Sequence, residues 1–368
     1  MSDPSSRDAD QLARRVLTTR VRLKPGENVT IETYPSALPW ALGFVREARR
    51  LGARPLLHYE DEDSYWSAVK EGHADLIGHP GGHEWAALKQ TDVYVYFWGP
   101  EDRARRTRLA APLAERLVAF NPEWYRVARR HRVRGLRMGI AQVTPAAARY
   151  WGVPYESWRA EVVRSTMADP ADFVRDARKL TRAFERGRSV RLRHTNGTDL
   201  TLGLAGRKAL SSLGWVTPAT RRTPFGMLAN APDGSVYVAV DESTADGMLV
   251  ANRRTTRLDV PVEGGRWTFR RGRLVGQTYS AGGGAVRAAS KAGGRGRDRP
   301  SMLEVGLDPN VRNSPGLEEN ERGSVSVGVG GNAGFGGATR SPFLMHLSVA
   351  GAELTIDDRL VVRGGRIV

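Results

Sequence analysis

The sequence predicts an α/β N-terminal domain with an open, mostly parallel sheet, followed by a β-rich α+β C-terminal domain. Three observations carry that reading. The chain has 368 residues, more than one compact domain usually uses. Its first half alternates strand-like apolar runs with helix-like segments, the grammar of a sheet covered by helices. From Ser189 onward, short strands separated by Gly and Asn turns replace that alternation. The change of pattern sets a boundary near 187. Residues 1–187 form an α/β domain with a helical connection, and residues 188–368 form the β-rich domain.

The elements follow in order. "ADQLARRVLTTRV" brings Leu12, Val16 and Val21 near one helical face. Pro25-Gly26 then turns the chain into a strand with Val29 and Ile31 alternating. "PSALPWALGFVREARRLGA" reads as a helix ending at Gly52, and "RPLLHYED" as a strand. A short helix, "DSYWSAVKEG", precedes the buried apolar strand "DVYVYFWG". One long helical stretch from Pro100 to Val133 leads to the strand "RGLRMGIAQV". The connection "TPAAARYWGVPYESWRAEVVRSTMADPADFVRDARKLTRAFERG" is helical. In "HTNGTDL", Asn196-Gly197 is a hairpin turn signal. The Gly- and Arg-rich segment 280–300 is expected to be a mobile loop.

Composition narrows the function classes. The chain is 40% hydrophobic and 26% charged, enough apolar residues for a real core. No apolar run approaches the roughly 20 residues of a membrane helix, so no membrane is expected as partner. The polar start "MSDPSSRDAD" has no signal-peptide pattern, and the expected compartment is cytoplasmic. With no cysteine, disulfides and thiolate metal sites are excluded. The net charge of +16 invites a nucleic-acid reading. The 56 basic residues include only six lysines, however, and the arginines are spread over the whole chain. A solvated basic surface is the preferred reading, and nucleic acid is not the expected partner.

Several local patterns carry little. His73, His79, His83 and Glu84 lie close together in "GHADLIGHPGGHEW", but their spacing fits no standard metal motif. "GVGGNAG" nearly matches a dinucleotide loop, but "FGGATRSPF" after it cannot open the helix that loop requires. No Gly-x-Ser-x-Gly elbow is present, so covalent acyl transfer has no obvious carrier.

Longer blocks carry more. "VRLKPGENVTIET", the stretch from Thr144 to Arg207, "LANAPDGSVYVAVDESTADGML", "MLEVGLDPNVR", "LEENERGSVSVGVG" and "PFLMHLSVAGAEL" stand in an order that resembles the thermophilic aminopeptidase T type of metallopeptidase, leucyl aminopeptidase-like. The resemblance implies an α/β N-terminal domain, a β-rich domain bearing two metals, and a homodimer. Carried over position by position, its five ligands fall on Ser235, Glu304, Ser326, His346 and Ser348. Only Glu304 and His346 are ligand-type residues, so most metal ligands are replaced and the active site is degenerate.

Three functions follow as expectations. The first is an aminopeptidase-like metal-dependent hydrolase of small peptides or amides with a reduced centre. Glu304 and His346 would be metal ligands, with Glu319 catalytic and Asp308 a further local carboxylate. One divalent metal (zinc, cobalt or manganese), or none, is expected. Arg312 and Asn313 in "NVRNSPG" are candidates for binding a substrate carboxylate. The second is a metal-free pseudoenzyme that binds a small molecule or protein. The third is a relative of ring-cleaving dihydroxypyridine dioxygenases, which resemble the same fold and hold one iron by two histidines and a carboxylate. Only one histidine, His346, follows His194 here. A solvated loop is expected for Glu318, Glu319 and Glu321, and a buried structural role competes for His346.

Overall fold

A computed structural model describes residues 4–218, 220–222, 226–312 and 314–368. The chain divides into two compact units, residues 1–170 with 214–232 and residues 171–213 with 233–368. The position 187 suggested by the sequence lies inside the second unit.

The first unit is built on an all-parallel sheet. Its strands run in the order Arg54–Tyr59, Asn28–Thr33, Val93–Phe97, Arg134–Met138 and Leu228–Ala231. Val93, Val95 and Phe97 of the middle strand are fully buried, as apolar runs of a two-sided sheet should be. Helix Ser6–Thr19 starts where the Ser5 hydroxyl accepts the Asp8 N–H at 3.2 Å. It buries Leu12, Ala13, Val16 and Leu17 and packs on helix Leu38–Arg50. Gly43 permits that approach, because a Cβ there would come within 2.7 Å of the Ala9 carbonyl. The stretch expected as one long helix is instead Arg103–Arg106, Ala111–Leu117 and Asn121–Arg130. Pro112 and Pro122 each occupy the first turn of a new helix, where a missing N–H costs nothing.

The second unit holds two antiparallel sheets. The larger runs Arg273–Thr278, Arg266–Arg270, Asp246–Val250, Thr198–Gly203, Ser189–His194, Glu353–Ile356, Arg359–Arg363 and Arg366–Ile367. The Asn196-Gly197 turn forms as the sequence indicates, with Gly197 at φ 98°. The smaller sheet runs Leu344–Val349, Val325–Gly330, Pro300–Gly306, Ser235–Ala239 and Leu210–Ser212. Helix Val174–Arg186 packs against strand Ser235–Ala239.

The segment expected as a mobile loop is not one throughout. Residues Gly283–Ala292 form a helix that buries Val286. Its alanines favour helix locally, which the glycines around them concealed. Among the described residues, no helix is long and apolar enough to cross a membrane.

Candidate functional site

The smaller sheet of the second unit gathers the carried-over positions. In its register Glu304 lies opposite both Ser326 and Tyr237, and Ser326 lies opposite Ser348. Directly opposed residues point to the same side of a sheet. Two residues along, His346 opposes Gly328 and Ser235 opposes Gly306, so both return to that side. Ser235, Glu304, Ser326, His346 and Ser348 therefore share one face. All five are buried.

A loop brings further acids to it. The chain from Ser314 to Gly323 folds back on the end of strand Pro300–Gly306. Asp308 N–H donates to the Asn320 carbonyl at 2.9 Å, and Gly323 N–H to the Gly306 carbonyl at 2.9 Å. Gly306 makes the contact possible, since a Cβ there would collide with the Glu321 carbonyl oxygen. The loop is not the solvated turn expected from its composition. Glu318 is only 2% exposed. Glu321 is held by Arg253 through Nε and Nη2 at 2.6 and 2.8 Å. Glu319 remains partly exposed at its side chain, 19%, and its Oε2 lies 3.6 Å from His346 Nε2.

The charges in this pocket are poorly matched. Burial, then the neighbouring Glu319 charge, pushes the Glu304 carboxyl up to about 8, while a hydrogen bond with Ser235 acts the other way. Burial and Glu319 also push Glu318 up to about 8, opposed by backbone and Thr256 hydrogen bonds. Burial holds the His346 imidazole below its ordinary 6.5; Glu319 partly offsets this, and Arg257 reinforces it. His346 Nδ1 and Glu318 Oε1 are buried and find no hydrogen-bond partner among the described residues. The Ser326 and Ser348 hydroxyls share one hydrogen bond at 2.6 Å.

The donor chemistry does not suit a two-ion centre. Among the described residues, no three His, Asp or Glu side chains are grouped to hold a metal ion. What the face offers is one imidazole and one carboxylate, 3.6 Å apart, with Glu304 coupled to that carboxylate by charge. Orphaned His346 Nδ1 also lacks the outer partner that usually fixes a metal-bound imidazole. Such a set falls short of the three protein ligands that a catalytic zinc usually has.

The remaining candidates separate. Asp308 is fully buried and spends Oδ1 on Asn310, accepting its N–H at 2.8 Å and its Nδ2 at 3.0 Å. Arg312 is exposed on the loop, and Asn313 lies outside the described residues. His194 Nδ1 accepts the Asn196 N–H at 3.1 Å and so belongs to the hairpin turn. His79 bonds the Asp75 carbonyl at 2.8 Å, and Glu84 accepts the Gly81 N–H at 2.7 Å, both local structural roles in the first unit. Sequence reasoning missed Arg257, whose charge reaches Glu304 and His346. It also missed the burial of Glu318. The one usable signal was Gly306, two residues past Glu304, because a strand glycine marks close backbone approach.

Comparison with known proteins agrees with the sequence resemblance. Residues 151–291 match the family model described as thermophilic metalloprotease (M29). Wild-type AmpT from Thermus thermophilus superposes with a TM-score of 0.70 at 17% identity, over 99% of this chain and 100% of that one. The 2,5-dihydroxypyridine dioxygenase from Pseudomonas putida KT2440 superposes with a TM-score of 0.63 at 16% identity, over 100% of this chain and 98% of that one. At these identities the two structures show a shared fold. No curated protein matches the chain in sequence.

Proposed function

We propose that this chain, metalloprotease-like over residues 151–291, is an aminopeptidase-like hydrolase of small peptides or amides with a centre reduced to at most one divalent ion. The observation that carries the reading is the approach of His346 Nε2 to Glu319 Oε2 at 3.6 Å on the face that also bears Glu304. Imidazole and carboxylate donors suit zinc, cobalt or manganese. An ion held by His346 and Glu319, with Glu304 beside them, would supply a water of lowered pKa and polarise the scissile carbonyl.

The side chains do the rest of the work. Glu304, kept protonated by burial, donates a hydrogen bond to developing negative charge or yields its proton to the leaving amine. With Glu319 engaged as a ligand, the proton of the attacking water passes to solvent at this partly exposed edge of the site. Arg257, also an exposed side chain, acts by charge on Glu304 and His346 and is therefore the counter-charge proposed for a substrate carboxylate. Asn313 keeps its proposed substrate contact only as a sequence reading. A homodimer in the cytoplasm is the working form that the family resemblance suggests.

A second reading, a metal-free binding member of the fold, is favoured by one observation. Ser326 and Ser348 pair with each other at 2.6 Å, where the family resemblance puts an imidazole and a carboxylate. Hydrolysis of aminoacyl amides and dipeptides with added zinc, cobalt or manganese separates the two. The hydrolase reading expects turnover that Glu304→Gln and His346→Ala each abolish, with circular dichroism unchanged. A wild-type chain that cleaves none of them with any of the three metals leaves only the binding reading.

A further inference from the structure

The first unit contains a concave site that the hydrolase reading does not use. It lies at the amino-terminal edge of the parallel sheet. Residues 20–24 lead toward strand Asn28–Thr33, Arg134 opens strand Arg134–Met138, and residues 215–221 precede strand Leu228–Ala231. The cavity encloses about 430 Å³, a size that admits a small organic ligand.

Its lining carries five cationic side chains and no carboxylate among the described residues. Two of the five are already engaged. Arg20 is buried and donates to the carbonyls of Ser165, Thr166, Ala168 and Gly214, so it braces the floor. Arg134 is paired with Glu27 at 2.7 Å and donates to the Val21 carbonyl at 2.9 Å. Among the described residues, the other three, Arg22, Lys24 and Arg221, have no ion pair within 4.0 Å. Arg22 lies over the Trp215 ring at 5.0 Å, a contact that orients a guanidinium without neutralising it. Its backbone sits at φ 51°, a costly conformation for an arginine, which the surrounding fold imposes. Arg221 is only partly exposed, and the charges that reach it are those of Arg134 and Arg132, both cations; burial and these two lower its pKa.

A solvated basic surface does not account for this arrangement. Exposed arginines on a chain of net charge +16 spread apart and keep their hydration. Here three cations converge on one hollow beside the apolar walls of Val216 and Pro218; Arg221 is partly desolvated, and of the three only Lys24 shares the charge of a nearby carboxylate, Glu27. Guanidinium forks and an ammonium match the oxygens of a phosphoryl group, and the apolar walls match an organic body. We propose that this cleft binds an organic phosphate carrying at least two negative charges, its phosphoryl group held by Arg22, Lys24 and Arg221 and its body against Trp215 and Pro218.

Isothermal titration at low ionic strength tests the proposal on the full chain, with adenosine diphosphate as the organic phosphate. Pyrophosphate, citrate and a short oligothymidylate serve as inorganic, carboxylate and nucleic-acid alternatives. Saturable binding of one adenosine diphosphate per chain is expected, with pyrophosphate weaker. Arg221→Ala and Arg22→Ala should each weaken it about 10-fold or more, the loss of one charge-assisted contact. Lys24→Gln, a change at an exposed side chain, should weaken it in the same direction and serves if either arginine variant fails to fold. The proposal is overturned by absence of saturation, by unchanged affinity in the folded variants, by citrate binding as tightly, or by oligothymidylate displacing adenosine diphosphate.

Discussion

Glu242 and Glu304 are the same side chain in the same unit, and their surroundings drive them in opposite directions. Glu242 accepts Arg207 Nη1 and Nη2 at 2.9 and 2.7 Å, Asn332 Nδ2 at 2.8 Å and the Ala338 N–H at 2.8 Å. Burial would raise it, but these bonds together hold it down to about 2. Glu304 is more deeply buried and faces the carboxylates Glu319 and Asp233, with a Ser235 bond and the Arg257 charge as its main support, and it rises to about 8. The first is a carboxylate that the fold completes. The second is one that the fold leaves uncharged and under-supplied with donors, together with Glu318 and His346. Mismatch of this kind is more common at functional sites than in structural ion pairs.

That contrast can be sharpened or broken by substitution. The largest effect is expected at Gly306, on which the approach of the 314–323 loop depends. Gly306→Ala would push the Glu319 loop off the strand, costing about 3 kcal/mol of stability by overpacking against backbone. Urea denaturation measures the cost, and hydrolysis should fall with it. Next comes Arg207→Ala, which strips Glu242 of its counter-charge and should cost about 2 kcal/mol. Glu304→Gln should cost less than about 1 kcal/mol at neutral pH, because glutamine has the shape of the protonated acid it replaces. If Glu304→Gln cost more than Arg207→Ala, the roles assigned to the two glutamates would be reversed.

The pH dependence has a definite sign. Glu304 and Glu318 keep protons in the folded chain that the unfolded chain releases above their ordinary 4.5. Their contribution is fully present below 4.5 and is lost as pH rises toward about 8. His346 runs the other way: its folded pKa is lowered, so its contribution is present above 6.5 and is lost as pH falls through the folded value. Wild-type Tm should therefore fall between about pH 6.5 and 8, and Glu304→Gln should flatten that slope. An unchanged slope in the variant would mean that Glu304 is ionised in the folded chain at neutral pH.

Much of the architecture was legible in the sequence. Val29 and Ile31, the run "DVYVYF" and the Asn196-Gly197 turn each report a local preference that the fold keeps. The contribution of residues 214–232 to the first unit was not legible. Their strand, Leu228–Ala231, is four residues long and reads like the short strands around it. Which sheet accepts it is decided by tertiary pairing with Arg134–Met138. At the site, the sequence singled out Glu304, Glu319 and His346; Glu304 and His346 share one face of the smaller sheet, and Glu319 approaches His346 to 3.6 Å. The burial of Glu318 was hidden, because "GLEENERG" has the composition of a solvated turn and only the approach over Gly306 encloses it.

The central claim is a hydrolytic centre reduced to one ion or fewer, built on His346 and Glu319. Elemental analysis of the purified chain after equilibration with zinc and gel filtration tests it most directly. The account predicts no more than one zinc per chain, removed by mild chelation and absent from His346→Ala. Two zinc ions per chain that survive chelation would contradict it.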